Sequence, residues 1–497
     1  MKSKIISFFE KFFSKKTSNI LINCFLILFI LFPNFVIFSR TEAIVPFVVF
    51  VFLVLIFINW SSVNFLQNKK TIYIVTVFGF LLKLLIAIYF NKHMIQVSDF
   101  YGVFVRAKDF TFNTFYYQTA YHYLLYTFIN GLAYKVFGAH QLVSFIINSL
   151  ATTTAGVFLY LSAKRIFKKE DVANLTLVLF TFWPSLLLYN TILSPDHFAL
   201  LFVCISIYLV CLVIDVILNN KVKQKWWLIV ILGVCLSLLG FFKNFSPAIL
   251  MAMLIIIALM AMKNKKIIIS SLVTIAIVFA TFIITNSMMF FIEERIVGDK
   301  ILRNQFWQYA YVGLGLDNNG SYSPVRYGEF HDYLISHDLD IKKANAYFSK
   351  KLKKEIKENI ASYPELIMSK TNKSFGNDSA PLGWIAASLN QYKADGAANK
   401  LIQSIVIPVN EMYYIILCMF VLIGAIYNIL YLKNDKLLFV NIAIYGVCML
   451  LLFVESQGRY KYAFEPLLCL LAVVGIYYGK DLIKRLMNNG SRKEVKK

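Results

Sequence analysis

Charge is scarce in this chain. Only 15% of its 497 residues are Asp, Glu, Lys or Arg, and 59% are hydrophobic. That balance excludes an ordinary soluble globular protein. Acidic residues are the scarcest of the charged set, 27 against 50 basic ones, leaving a net charge of +23. Cysteine is missing from every polar segment. Cys24, Cys204, Cys211, Cys235, Cys418, Cys448 and Cys469 all lie in apolar runs, without CxxC spacing. Neither a disulfide framework nor a structural zinc site is expected. The six histidines are scattered, without the spacing of metal ligands, so chemistry without metal or cofactor is predicted. No repeat of about 20–50 residues and no Pro- or Ser-rich linker divides the chain. Basic residues precede an apolar run from Ile20, but no small-residue cleavage site is evident. That run reads as an uncleaved first span.

What the chain has instead is long apolar runs, near the roughly 20 residues that cross a bilayer. Twelve spans are predicted, near residues 20–39, 44–60, 72–90, 141–163, 172–189, 195–217, 226–242, 246–262, 267–288, 405–432, 437–454 and 461–479. The fold class that follows is an all-α polytopic membrane protein. Basic residues crowd the short links between runs, as in Lys164, Arg165, Lys168 and Lys169, or Lys221, Lys223 and Lys225. Cytoplasmic loops are enriched in this way. The positive balance therefore reports orientation and contact with anionic membrane lipid, and nucleic acid is not an expected partner. With the N-terminus inside, all these links are cytoplasmic. The chain is expected in the cell membrane with both termini in the cytoplasm.

Five pieces are predicted: an N-terminal transmembrane hairpin (1–60), a transmembrane core (61–288) with an external loop (91–140), an external α-rich region (289–404), C-terminal transmembrane helices (405–480) and a basic tail (481–497). The stretch "FYYQTAYHYLLYTFINGLAYKVFG" (115–138) could pass for a span. It carries Gln118, His122, Asn130 and many tyrosines, which suit helices lying at the outer interface. In the external region a charged helix is expected to end at Pro364, whose ring cannot continue the hydrogen-bond ladder. That region is short for a core of its own and is expected to pack over the outer mouth of the bundle.

Ionisable residues beside spans are costly and usually have a reason. Here they gather at one depth: Asp99, Asp109, Asp196, Lys243, Glu411, Glu455, Arg459, Lys461 and Glu465. Such a set predicts a polar cavity at the outer leaflet. Asp99 could accept a proton from a hydroxyl or cap the helix that follows. Asp109 could belong to a site or pair with Arg106 or Lys108, and Tyr101 could stack on a sugar or anchor at the interface. Arg459 presents a planar fork of donors suited to phosphate, or it anchors the interface or pairs with Glu455. Lys243 and Lys461 could add charge to the same phosphate. Asp196 begins a span, where capping explains it as well as catalysis does. Lys83 lies near mid-membrane without an assigned role.

An Asp after a span in "VSDFYGVFVRA", an interfacial segment ending "VFGAHQ", then "FWPSLLLYNTILSPDHFALLF", "KENIASYPELIMSKTNKSF" and "GRYKYAFEPLL" follow one another. In this order they resemble a GT-C membrane glycosyltransferase, of the bacterial branch similar to protein mannosyltransferases and lipid A aminoarabinose transferases. The resemblance covers most of residues 72–480. It implies a polyprenyl-phosphate sugar as donor, a cell-envelope glycan, lipid or protein as acceptor, and an active site on the outer face. It maps the catalytic Asp to Asp99 and the lipid-phosphate Arg to Arg459, beside Tyr460 of the "RY" pair. Inversion by one displacement, with Asp99 as general base, is the mechanism implied. Two positions depart: Phe100 follows Asp99 where protein mannosyltransferases typically have Glu, and Ala463 stands where a Pro is common. The alternative from another class is a lipid-linked saccharide flippase without bond chemistry.

Overall fold

The computed structural model describes residues 64–390, 396–430 and 434–494. The predicted N-terminal hairpin lies outside the described residues. Every regular element among those described is a helix. Ten predicted spans fall in this part, and each coincides with helix. They are α1 (Thr71–Asn91), α4 (Gln141–Phe167), the pair α5 (Glu170–Thr181) and α6 (Pro184–Leu188), α7 (Asp196–Leu218), α8 (Trp226–Phe242), α9 (Ser246–Lys263), α10 (Ile268–Val297), α16 (Ile407–Leu430), α17 (Asp435–Phe453) and α18 (Glu465–Glu494). Between them lie α2 (Ser98–Asp109), α3 (Leu124–Phe137), α11 (Phe306–Gly313), α12 (Pro324–Ser336), α13 (Ile341–Glu358), α14 (Tyr363–Phe375) and α15 (Ala380–Asn390). Seven helices are long and apolar enough to cross a membrane, and the α5–α6 pair makes an eighth span if counted as one. The apolar parts of α8 and α18 are shorter. The chain is an all-α polytopic membrane protein.

Two elements differ from their sequence reading. The span predicted at 172–189 is bent by 64°. Pro184 opens α6 and Trp183 before it is extended, because a proline ring disfavours helical geometry in the preceding residue. Pro364 likewise starts a helix. The charged helix α13 already ends at Glu358, and Pro364 occupies the first turn of α14, where a missing N–H costs nothing.

The bundle packs closely where side chains are small. α16 and α18 meet at Gly424 and Gly475, and a Cβ on Gly475 would collide with the Phe420 carbonyl. Small residues let backbones approach when lipid provides no hydrophobic drive between helices. Helix α7 sets the length of the bundle. Asp196 begins it and Asp215 lies near its other end, about 28 Å away at 1.5 Å per residue, close to the ~30 Å of a hydrocarbon core. Asp215 accepts from Arg165 (2.5 Å) and Lys436 (2.7 Å). Basic links from two places thus share one end of the bundle.

The region between α10 and α16 sits at the Asp196 end. Contrary to expectation it has a small core of its own, built from Leu302, Tyr311, Phe330, Leu334, Phe348 and Leu352. Arg326 ties α12 to α13 through Glu355 (2.7 Å) and reaches Asp317 (2.7 Å).

Candidate active site

Residues 115–137 form a five-residue turn of helix, a three-residue 3-10 turn and the 14 residues of α3. None has the length of a span. Helix α2 begins with Ser98 in the left-handed region (φ 55°), a conformation that costs a non-glycine residue energy and is tolerated only where surroundings fix it. The capping position is Val97, without a side-chain bond. Asp99 is therefore in the first turn and not the cap that sequence allowed. Its side chain is 44% exposed and lies 3.8 Å from Arg459 Nη2. Tyr123 donates to the same oxygen at 3.5 Å.

Arg459 comes from the turn Gly458–Lys461 that joins α17 to α18. It is 5% exposed. Its Nε donates to Gln457 (2.8 Å), and Phe100 and Trp384 place their rings 5.0 and 5.4 Å from the guanidinium. Backbone packing and aromatic walls hold this cation in place while its terminal nitrogens face Asp99.

A cavity of about 460 Å³ opens beside it, lined by Asp196, Lys243, Glu455, Arg459, Tyr460 and His122 among others. Lys243 follows the last residue of α8 and forms a buried ion pair with Asp196; Tyr189 also donates to Asp196, at 3.2 Å. Burial pulls the Lys243 pKa below its ordinary value; Asp196 opposes this and Arg459 adds to it. The Lys243 ammonium lies 4.5 Å from the Tyr460 ring. Burial, helped by Lys243, lowers His122 to about 4, so it is neutral at physiological pH. Glu455 is not the ion partner of Arg459 that the sequence allowed. It accepts from Tyr460 (2.6 Å), Tyr327 (3.2 Å) and Gln457. Phe242, Phe245, Phe306, Leu450 and Leu451 also line it. The cavity is therefore lined by charged and apolar side chains together.

The rest of the predicted set separates. Lys461 points away into a second buried network. It donates to the Asn377 carbonyl and lies 3.3 Å from Glu465 and 3.7 Å from Asp378. Burial disfavours its charge, but Asp378, Glu465 and Glu411 outweigh that and raise its pKa. Asp378 accepts from Ser185 (2.6 Å), Trp183 (2.8 Å) and Asn410 (3.0 Å), and its backbone N–H reaches Glu411 (3.2 Å). This network clamps the α5–α6 bend to α16 and α18. Arg106 stacks over Tyr116 at 4.2 Å. Tyr101 is 51% exposed. Asp109 ends α2, about 15 Å along the helix from Asp99. Lys83 is buried against Thr152 (3.0 Å) and Thr153 (3.4 Å).

Tyr327 and Tyr309 are contributors that sequence reasoning missed. Both lie in the region with the second core, and only the packing of that region on the Glu455 loop brings them in. No local pattern could have found them.

Residues 121–289 match the model of the dolichyl-phosphate-mannose-protein mannosyltransferase family. The matched stretch contains His122, Asp196 and Lys243 of the cavity, and Asp99 and Arg459 fall outside it. No curated protein matches the chain. The match and the apolar helices together support a membrane glycosyltransferase of the GT-C type.

Proposed function

We propose that the chain transfers a sugar from a polyprenyl-phosphate donor to a cell-envelope acceptor on the outer face of the membrane, with inversion. The observation that carries this reading is the meeting of Asp99 and Arg459, 3.8 Å apart, beside a cavity lined by both charged and apolar side chains. A lipid-linked sugar phosphate offers charge and apolar chain to such a lining. In this reading the phosphate lies against Arg459 and Lys243, and the first isoprene units lie against Phe242, Phe245 and Leu450.

The acceptor hydroxyl loses its proton to Asp99. Its oxygen forms a bond to the anomeric carbon as the bond from that carbon to the phosphate oxygen breaks. The electron pair leaves with the polyprenyl phosphate, whose growing charge meets preplaced donors. In-line displacement needs the base and the phosphate on opposite sides of the anomeric carbon. The sugar therefore sits between Asp99 and Arg459 and parts their ion pair. Exposure favours Asp99 over Asp196 as base, since Asp196 is buried and already bonded to Lys243 and Tyr189. The positive-inside pattern of the links supports the outer-face placement.

The test uses purified protein and its Asp99→Asn variant, incubated with polyprenyl-phosphate sugars and a cell-envelope extract. Free polyprenyl phosphate is followed by mass spectrometry. Release by the wild type, lost about 10²- to 10⁴-fold in a folded Asp99→Asn, is the expected result. Undiminished release by the variant removes Asp99 as base. Movement of lipid across reconstituted vesicles without any release favours the flippase.

A further inference from the structure

Helix α13 carries seven lysines and two glutamates. Its apolar stripe of Ala344, Phe348 and Leu352 is buried in the second core. The helix therefore has no free apolar face to lay into a bilayer, as a surface-bound amphipathic helix must. Glu355 is taken by Arg326 and Lys351 by Glu329. On the outer face remain Lys350, Lys353, Lys354 and Lys357, all exposed. Their spacing of three, four and seven residues sets them side by side along about 10 Å of helix. Among the described residues, Glu358 is the carboxylate that approaches them, 3.8 Å from Lys354.

Like charges at these spacings weaken a helix, whereas a face that is merely solvated alternates in sign. Orientation in the membrane does not account for the row either. The basic links gather at the Asp215 end of the bundle, while α13 belongs to the opposite end. There the same region touches the cavity loop: Tyr327 donates to Glu455 (3.2 Å) and Ser456 N–H to the Gly320 carbonyl (2.7 Å). The row is all lysine. Flexible point charges suit phosphates strung along a chain, and the planar fork of arginine suits single carboxylates held in two bonds.

We propose that this lysine face binds a linear phosphate-bearing polymer of the cell envelope and holds it as the acceptor near the cavity mouth. The acceptor role rests on the transferase reading above.

The experiment uses the full chain in detergent and sodium polyphosphate as probe, with neutral dextran as control. Three proteins are compared: wild type, K350Q/K353Q/K354Q/K357Q, and the charge-matched K221Q/K223Q/K225Q/K266Q in links of the other end. Wild type binds polyphosphate and not dextran, more weakly as salt rises. The α13 variant binds at least about tenfold more weakly, and the charge-matched variant binds like wild type. Equal weakening by both variants, or by neither, overturns the proposal. So does an α13 variant that keeps polyphosphate but loses phosphatidylglycerol vesicles, which would make the face a membrane contact. Arg459→Met separates the two readings: it loses donor cleavage and keeps the polymer. Polymer binding through α13 by a wild type that cleaves no donor removes the acceptor role and leaves the transferase reading as the part that failed.

Discussion

At the scale of residues, the two aspartates nearest the cavity differ in what their loss should do. Asp196 shares a buried ion pair with Lys243. Asp196→Asn leaves an ammonium without its partner and should cost about 3 kcal/mol, read as a lower midpoint in thermal unfolding. Asp99 is 44% exposed and its contacts are 3.5 and 3.8 Å long. Asp99→Asn should leave the midpoint close to wild type while activity falls. His122 gives a pH signature. It titrates near 6.5 when unfolded and near 4 when folded. Between those values the unfolded chain binds more protons, so stability falls as pH drops from about 6.5 to about 4. Unfolding of His122→Gln across this range should show a shallower decline.

At the scale of elements, the loop that carries Glu455 and Arg459 is held from outside the bundle. Lys370 of α14 donates to the carbonyls of Gly313 and Val454 (2.6 Å for the latter). Burial lowers its pKa to about 7, with Glu455 opposing and Lys373 adding. Lys370→Met leaves two buried carbonyls without a donor, at about 1–3 kcal/mol each. Gly313 lies against the Val454–Glu455 backbone with no room for a Cβ. Gly313→Ala should push that loop aside, cost about 1–3 kcal/mol, and lower turnover more than Asp99-independent measures such as helix content. Circular dichroism alongside the donor-release assay checks both variants. The α5–α6 bend was visible in the sequence only as Pro184. Its angle comes from Trp183 and Ser185 bonding Asp378, a partner nearly 200 residues away.

At the scale of the whole molecule there are two cores of different kind. The bundle has a large, mainly apolar core. The core between α11, α12 and α13 is small; its unit meets the loop at 454–456 and the segment 115–118, where Leu302 N–H donates to the Gln118 carbonyl (2.9 Å). Phe348→Ala should cost that unit about 3–5 kcal/mol. Hydrogen exchange should then rise over residues 302–352 and stay low in α4 and α7, and donor release should fall because Tyr327 no longer steadies Glu455.

The sequence by itself determined the class of protein and, among the described residues, where its long apolar helices lie. Each span must satisfy its own backbone hydrogen bonds in lipid and needs about 20 apolar residues, so the signal is local and legible. It also determined which charges gather at the cavity end of the bundle, because polar side chains avoid the hydrocarbon. Only the tertiary structure decided which of those charges share a site. It sorted Arg459, two residues from Lys461, into the cavity with Asp196 and Lys243 and beside Asp99, and Lys461 into the network of Asp378, Glu411 and Glu465. The turn Gly458–Lys461 is a 3-10 turn, whose three residues per turn send side chains two apart in different directions, and the partners come from helices far apart in the chain. Distance in sequence carries no record of that meeting.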